Sequence, residues 1–283
     1  MTGQRPGQSI RHKGNDVTEG TELLPAGMSL TPAMLNLAAS ATSTELEVAK
    51  RPRLAVLATG DELVPPGSTL GPDQIVASNS YGLIPLLSSY AEKVVDLGIV
   101  RDDKKALEQS ILAAFDYGVD VLLTSGGASV GERDYVQDVL RDLGVRLDFW
   151  KILMRPGKPL MFGTRGKTLV FGLPGNPISA FVTATVLVRP ALRLMTGHTD
   201  PFFPFMGVPL AADLPPGGER RHFMRGKLNR NEIGFLEVTP IAETDSNHSS
   251  SLAAADALII QPEDSPGIPA GEIVEIIPLN LLG

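Results

Sequence analysis

The amino-acid sequence predicts an α/β protein, in which a mostly parallel sheet lies between two layers of helices and a small β-barrel or β-sandwich domain follows. In residues 51–196, short apolar runs alternate with longer stretches of helix-like spacing, a pattern typical of a parallel sheet covered by helices. Residues 197–283 instead contain repeated prolines and short strand-like runs. Residues 1–50 are rich in Gly, Thr and Pro and are expected to form part of a β-rich domain. The sequence therefore predicts three segments: 1–50, 51–196 and 197–283.

The individual elements follow from hydrophobic periodicity. Apolar runs predict strands at 54–58, 94–100, 119–124 and 168–171, and in the last segment at 223–228, 234–239, 257–261 and 272–278. Helix-like spacing predicts helices at about 79–91, 103–117, 132–143 and 177–195. In the first segment, weak alternation predicts short strands, and Thr31 with Pro32 predicts the start of a short helix. Residues 163–168 are similar to the end of a P-loop, but a strand follows them, so they predict a hairpin turn.

The composition restricts the class of protein. The 283-residue chain has a formal net charge of -7, which disfavours non-specific nucleic-acid binding because that requires a dominant basic face. The absence of cysteine excludes disulfides and cysteine-based metal sites. No stretch is typical of a signal peptide or a membrane span, so we expect a cytoplasmic protein that does not bind membranes. An anionic substrate would need a local basic pocket.

Two Gly-rich loops follow predicted strands and precede predicted helices. The first offers backbone N–H groups and hydroxyls that can bind an anion, at Ser125, Gly126, Gly127 and Ser129. The second contains Pro174, Gly175 and Asn176. Here Asn176 is a good N-cap, Pro177 suits the first helical position, and a helix start favours an anion. An ordinary capped turn is the alternative for this second loop. Both loops are expected at the carboxyl ends of the strands, where such sheets bind ligands.

Acidic side chains follow other predicted strands. Asp61 and Glu62 come directly after the first strand, and two adjacent carboxylates suit a hard cation such as Mg²⁺. A solvated turn is the alternative. Asp102 follows another strand, where helix capping by Asp102 or Asp103 is the alternative role. Asp134 lies just inside a predicted helix and either binds a metal or interacts with the helix dipole.

A basic loop lies between two predicted strands. It carries Lys151, Arg155 and Lys158, and two prolines stiffen it. Arginine forms forked hydrogen bonds to an oxyanion and lysine provides a point charge. The loop is therefore either an oxyanion site or a solvated surface loop.

Four motifs, taken in this order, resemble the MoeA family and the gephyrin E domain, which are molybdenum insertases. They are Thr-Gly-Asp-Glu-Leu at 59–63, Ser-Gly-Gly-Ala-Ser-Val-Gly at 125–131 with Asp-Tyr at 134–135, Arg-Pro-Gly-Lys-Pro at 155–159 and Leu-Pro-Gly-Asn-Pro at 173–177. The middle segment alone also resembles MogA-type molybdopterin-binding proteins. In the last segment, Phe-Met-Arg-Gly at 223–226 is similar to the family's Phe-x-Arg-Gly. Ser246 matches the serine of a Gly-Ser-Gly turn, although both flanking glycines are replaced.

The resemblance covers nearly the whole chain and implies that the family's N-terminal region is absent from it. It implies a molybdopterin molybdotransferase of molybdenum cofactor biosynthesis, which inserts molybdate into adenylylated molybdopterin and releases AMP. The alternative is a non-catalytic molybdopterin carrier or a gephyrin-like scaffold. An intact acidic set without turnover would favour that alternative.

The resemblance also assigns roles to residues. Catalytic roles are implied for Glu62, Asp102, Asp134, Lys151 and Arg155. A divalent cation such as Mg²⁺ is expected at Asp61, Glu62, Asp102 and Asp134. Substrate contacts are implied for Ser125, Gly126, Gly127, Ser129, Lys158, Pro174, Gly175, Asn176, Arg225 and Ser246. Arg225 and Ser246 are expected to reach the site from the partner subunit of a homodimer. Further expected partners are a MogA-like adenylyltransferase and the molybdoenzymes that accept the product.

Overall fold

The computed structural model describes residue 7 and residues 10–127, 135–202, 205–242 and 249–279. The chain divides into two compact units. The smaller unit contains Met1–Ala49 with Gly197–Thr199, and the larger one contains Lys50–Thr196 with Asp200–Gly283. The residues with expected roles in binding and catalysis all belong to the larger unit.

The described part of the smaller unit contains one helix, α1 (Pro32–Ser40). Its start was predicted correctly, because the Thr31 side chain accepts a hydrogen bond from the Met34 backbone N–H at 3.3 Å and proline occupies the first turn. The prediction of short strands before residue 50 is wrong for residue 7 and residues 10–49, where no strand is found. A strand needs a pairing partner and an apolar face to bury, and Ala38 is the one buried residue described in this segment. The weak alternation therefore produces turns and loops.

The larger unit contains the predicted alternation of strands and helices. Its strands are β1 (Arg53–Thr59), β2 (Leu63–Val64), β3 (Ile75–Val76), β4 (Lys93–Val100), β5 (Val121–Ser125), β6 (Arg146–Phe149), β7 (Met154–Arg155), β8 (Met161–Arg165), β9 (Thr168–Leu173), β10 (Met206–Pro209), β11 (Arg221–Arg230), β12 (Leu236–Pro240), β13 (Ala257–Gln261) and β14 (Ile273–Pro278). Its helices are α2 (Asn79–Ser88), α3 (Lys104–Tyr117), α4 (Tyr135–Asp142), α5 (Pro177–Thr183), α6 (Arg189–Met195) and α7 (Ser249–Ala253). A π-helical turn, Ala184–Val188, connects α5 to α6.

The main sheet has the strand order β4-β1-β5-β9-β8-β6. The first four of these strands are parallel, and they are the four that apolar runs predict. Parallel neighbours need long crossover connections, which the intervening helices supply. Strands β8 and β6 are antiparallel additions. The predicted hairpin turn is confirmed, because Arg165 pairs with Thr168 across residues 166 and 167.

Alternate residues of β1 show how helices cover both faces of this sheet. Ala55 and Leu57 pack in one apolar cluster with residues of α3 and α4. Leu54 and Val56 pack in a second cluster with residues of α2, α5 and α6. All four side chains are fully buried, and burial of each leucine or valine contributes about 1.5–3 kcal/mol. The predicted three-layer arrangement is confirmed.

One helical stretch among the described residues, Pro177–Met195, is long and apolar enough to cross a membrane by length and composition. In this structure it is a core helix, since 61% of the window is buried and its apolar residues pack against the main sheet. Its Arg189 side chain is also buried and donates a hydrogen bond to the Tyr90 hydroxyl at 2.9 Å. Burial lowers the pKa of the Arg189 guanidinium, and the bond to Tyr90 opposes this effect.

The second sheet has the order β10-β14-β13-β11-β12, and these neighbours are antiparallel. A bridge joins Leu210, directly after β10, to Val238 of β12, and the Ala211 N–H donates to the Val238 carbonyl at 2.9 Å. The sheet thus closes on itself as the predicted small barrel. The four predicted strands are confirmed, whereas β10 was missed because prolines surround it.

The basic loop contributes a strand to this second sheet. Strand β7 runs parallel to β11, with Met154 opposite Arg221 and Arg155 opposite His222. An apolar cluster that includes Met154 of β7, Ile178 of α5 and residues of β11, β13 and β14 holds these elements together. A loop between two strands of the main sheet is therefore fixed by the barrel.

Candidate functional site

Three parallel strands end at one edge of the main sheet, where their loops surround a cavity of about 470 Å³. Because β1, β5 and β9 run in the same direction, the residues that follow them come together. The polar residues that line the cavity are Thr59, Glu62, Ser78, Asn79, Ser125, Asn176 and Ser249, with the backbone of Gly126 and Gly175. Leu63, Ile75 and Val76 provide an apolar wall. The site thus combines hydroxyls, amides, one carboxylate and an apolar surface.

Close backbone packing shapes the floor of this cavity. Gly126 has φ +97°, and its N–H donates to the Leu173 carbonyl at 3.3 Å. A Cβ atom at Gly126 would lie 2.2 Å from the Thr59 carbonyl oxygen, so no other residue fits without movement. A Cβ atom at Gly175 would lie 3.7 Å from the Gly126 Cα. The two Gly-rich loops therefore touch each other, at the edge of the sheet where the sequence places both.

The second Gly-rich loop ends in a capped helix. The Asn176 Oδ1 accepts hydrogen bonds from the N–H groups of Ile178 and Ser179 at 3.1 and 3.4 Å, and Pro177 occupies the first turn of α5. Asn176 also lines the cavity, so the capping role and a position at the site occur together. Pro174 is buried and does not line the cavity, and neither does Gly127.

The acidic residues divide into two groups. Glu62 lines the cavity, and its carboxylate lies over the Gly60 backbone. Asp102 accepts a hydrogen bond from the Thr59 hydroxyl at 2.8 Å, and its own N–H donates to Asp61 Oδ1 at 3.2 Å. Asp61 and Asp102 therefore lie side by side next to the cavity without lining it. The helix cap expected near this position is Asp103, which accepts from the Ala106 N–H at 2.8 Å.

A metal site is not evident in the described ranges, which contain no group of three or more His, Cys, Asp or Glu that could hold an ion. Two expected residues of the first Gly-rich loop, Ser129 and Asp134, lie outside the described residues. Ser246 lies outside them as well. The predicted contacts of these three residues stay predictions.

The basic residues lie in three places. The Ile152 N–H donates to the Lys158 carbonyl at 3.1 Å, which brings the backbone next to Lys151 close to Lys158, and both lysines are exposed. Arg155 lies on β7 instead and lines a second cavity of about 570 Å³, together with Arg220 and His222. Arg225 is 2% exposed on β11, and its Nε has no hydrogen-bond partner among the described residues.

Three polar residues of the first cavity, Ser78, Asn79 and Ser249, were not singled out from the sequence. Asn79, at the start of α2, donates from Nδ2 to the Ser125 hydroxyl at 2.6 Å and to the Gly175 carbonyl at 2.8 Å. Ser249, at the start of α7, reaches the cavity from the C-terminal part of the same chain. The adjacent Ser78 and Asn79 before an apolar helix were a usable signal, because small polar residues are typical of helix starts.

Comparison with known proteins agrees with this arrangement. Residues 55–194 match the family "Probable molybdopterin binding domain", and residues 207–279 match "MoeA C-terminal region (domain IV)". The molybdopterin molybdenumtransferase of Haemophilus influenzae is 36% identical over 284 residues, which cover 99% of this chain and 69% of that protein. Molybdopterin molybdenumtransferase 2 of Mycobacterium tuberculosis is also 36% identical, over 96% of this chain and 67% of its own length.

The fold is similar to that of a solved protein of the same kind. A crystal structure of a molybdopterin biosynthesis MoeA protein from Pyrococcus horikosii superposes with a TM-score of 0.78 at 30% identity, over 93% of this chain and 63% of that one. The chain thus spans about two thirds of the length of these relatives. Its motifs, its two larger sheets and these matches show that the chain belongs to the molybdopterin molybdenumtransferase family of molybdenum cofactor biosynthesis.

Proposed function

We propose that this chain inserts molybdate into adenylylated molybdopterin and releases AMP. The observation that carries the proposal is the cavity at the ends of β1, β5 and β9, where Glu62 faces two Gly-rich loops and the start of α5. Such a cavity offers N–H groups and hydroxyls to a phosphate, and a carboxylate close to the bond that breaks. The names of the two curated relatives support this reaction.

In this proposal the pterin phosphate binds between the two Gly-rich loops. Ser125, Gly126 and Gly127 contribute from the first loop together with Ser129, and Pro174, Gly175 and Asn176 contribute from the second. The start of α5 carries a partial positive charge and points toward the cavity, which favours a phosphate there. Pro174, which is buried, would act by fixing the course of the second loop.

Replacing Asn176 by aspartate should weaken molybdopterin binding about 10- to 100-fold, because a carboxylate would then face the bound phosphate. Aspartate is as good an N-cap as asparagine, so the melting temperature should not fall. Calorimetry with molybdopterin measures the affinity. Asn229→Asp, the same change on an exposed residue of β11, is the control and should bind normally. Unchanged affinity of Asn176→Asp would contradict the phosphate site.

A divalent cation such as Mg²⁺ is proposed at the acidic residues. Carboxylate oxygens are the ligands that Mg²⁺ prefers, and it often takes only one or two of them while water and phosphate complete its shell. Glu62 at the cavity and the neighbouring pair of Asp61 and Asp102 suit that mode, with Asp134 as a further ligand. When bound, the cation would polarise the P–O bond that is broken.

We assign molybdate to the basic residues. The backbone brings the positions of Lys151 and Lys158 close to each other, and both side chains provide positive charge. Arg155 provides a forked donor beside Arg220 and His222 in the second cavity. The Arg225 Nε is buried and has no hydrogen-bond partner among the described residues. In the proposed homodimer, Arg225 and Ser246 of the partner subunit complete the site.

If the chain forms the proposed homodimer, light scattering on the full chain should give twice the mass of one subunit. The physical reason is that Arg155 and Glu62 line two different cavities of one chain, so a second subunit is needed to bring basic and acidic groups together. A monomer that still inserts molybdenum would contradict the shared site. We further propose that the protein works in the cytoplasm, receives substrate from a MogA-like adenylyltransferase and passes its product to molybdoenzymes.

A further inference from the structure

Asn79 links the two Gly-rich loops through a single amide nitrogen. Its Nδ2 donates to the Ser125 hydroxyl at 2.6 Å and to the Gly175 carbonyl at 2.8 Å. An amide nitrogen carries two hydrogens, so both are used and none remains for a ligand. Asn79 lines the cavity, but its Nδ2 binds the two loops and has no hydrogen left to donate to a ligand in the cavity.

The Gly175 carbonyl fixes the orientation of this amide. A carbonyl oxygen can only accept, so the atom that faces Gly175 must be the nitrogen of Asn79. The same nitrogen therefore donates to Ser125, and the serine hydroxyl is the acceptor in that bond. The hydroxyl hydrogen of Ser125 must then point elsewhere, and the side chain is 3% exposed at the cavity floor.

Thr59 shows the opposite arrangement at the neighbouring strand end. Its hydroxyl donates to Asp102 Oδ1 at 2.8 Å and keeps only acceptor capacity toward the cavity. Toward the cavity, the Thr59 hydroxyl can therefore only accept a hydrogen bond, whereas the Ser125 hydroxyl can donate one.

The carbonyl of Asn79 adds a second observation. Its Oδ1 is buried and has no hydrogen-bond partner within the described part of the chain. Buried acceptors without partners are uncommon, and one that persists often marks a functional position.

We infer that Asn79 is a positioning residue, which turns the Ser125 hydroxyl into an obligatory donor to an anionic phosphate oxygen in the cavity. The inference rests on the proposed function, since it presumes a phosphate-bearing ligand. That phosphate belongs either to molybdopterin or to the adenylate, and the two sources can be tested separately.

The test is a double-mutant cycle on the full chain, with calorimetric titration of molybdopterin in one arm and AMP in the other. Ser125→Ala should weaken binding of the phosphate ligand about 10- to 100-fold, which is the range for a hydrogen bond to a charged group. Asn79→Ala should weaken it by a smaller factor of about 3- to 10-fold, since a freed hydroxyl donates only part of the time. The double variant should match Ser125→Ala within about twofold, because Asn79 acts through Ser125.

The matched control is Asn229→Ala, which removes an Asn Nδ2 bond to a hydroxyl, that of Thr239 at 3.1 Å, away from the cavity. It should bind both ligands normally. A loss in the molybdopterin arm assigns Ser125 to the pterin phosphate, and a loss in the AMP arm assigns it to the adenylate.

Additive losses in the cycle would overturn the inference, because Asn79 would then act only by holding Gly175. If Asn79→Ala does not fold, Ser125→Ala still decides, since unchanged affinity for both ligands overturns the donor role. An unmodified chain that binds neither ligand overturns the proposed function as well. A chain that inserts molybdenum, with both variants binding normally, overturns only the role of Asn79.

Discussion

Replacing Glu62 by glutamine is expected to stop AMP release while adenylylated molybdopterin stays bound. Glu62 is the carboxylate that lines the cavity, where the ends of β1, β5 and β9 meet. A carboxylate at this position acts mainly on the charge that develops as the P–O bond breaks, alone or through a bound cation. Removal of a group that acts in the transition state lowers the rate more than the affinity. We expect release about 100- to 1,000-fold slower, with affinity within about twofold.

A single-turnover assay that follows AMP release against molybdate concentration measures this effect. Glu272→Gln is the matched control, since it removes an exposed carboxylate that does not line the cavity. Normal release from Glu62→Gln would contradict the assignment and direct attention to Asp61, which lies beside Asp102. If the unmodified chain binds the substrate and never releases AMP, the carrier or scaffold function would be favoured instead.

Replacing Gly126 by alanine is expected to cause the largest loss of stability among single changes at the site. The new Cβ would lie 2.2 Å from the Thr59 carbonyl oxygen, and the residue has φ +97°. Backbone strain at positive φ costs about 1–3 kcal/mol, and overpacking in a filled region costs a further 1–3 kcal/mol. The expected loss in the free energy of unfolding is thus roughly 2–6 kcal/mol. Phosphate binding should weaken as well, because the two loops would be pushed apart.

Gly98→Ala separates the two costs in a urea unfolding experiment. Gly98 has φ +74°, and a Cβ atom there would have no neighbour within 4 Å. This variant should therefore lose only the backbone term, about 1–3 kcal/mol. Equal losses for Gly98→Ala and Gly126→Ala would contradict the close packing of Gly126 against β1. Gly126→Ala protein with native stability and affinity would contradict it more directly.

The sequence predicted the main sheet well because its elements carry strong local signals. Strands β1 and β5 are buried on both faces, so they are continuous apolar runs such as Leu54 to Ala58. The caps of α3 and α5 could also be predicted, because Asp103 and Asn176 are residue types that favour helix starts. Strand β10 gave a weak signal, because a short strand among prolines depends on its partner β14 for stability.

The site was less predictable because its geometry depends on contacts between distant residues. Spacing along the chain placed Arg155 between Lys151 and Lys158, but pairing of β7 with β11 carries Arg155 to another cavity. The amide of Asn79 is 46 and 96 residues from its two partners, and no local pattern reports such a bond. The contacts of Asp134, Ser129 and Ser246 remain predictions.

The pairing of β7 with β11 has a consequence for the order of folding. Arg155 lies opposite His222 in neighbouring strands, and this pair cannot form until the chain has been synthesised as far as β11. The parallel strands of the main sheet can assemble earlier, while the barrel sequence is still emerging from the ribosome. The loop from Lys151 to Lys158 therefore acquires its final shape only when the barrel has folded. In a newly made chain, the ends of β1, β5 and β9 can therefore come together before this loop takes its final shape.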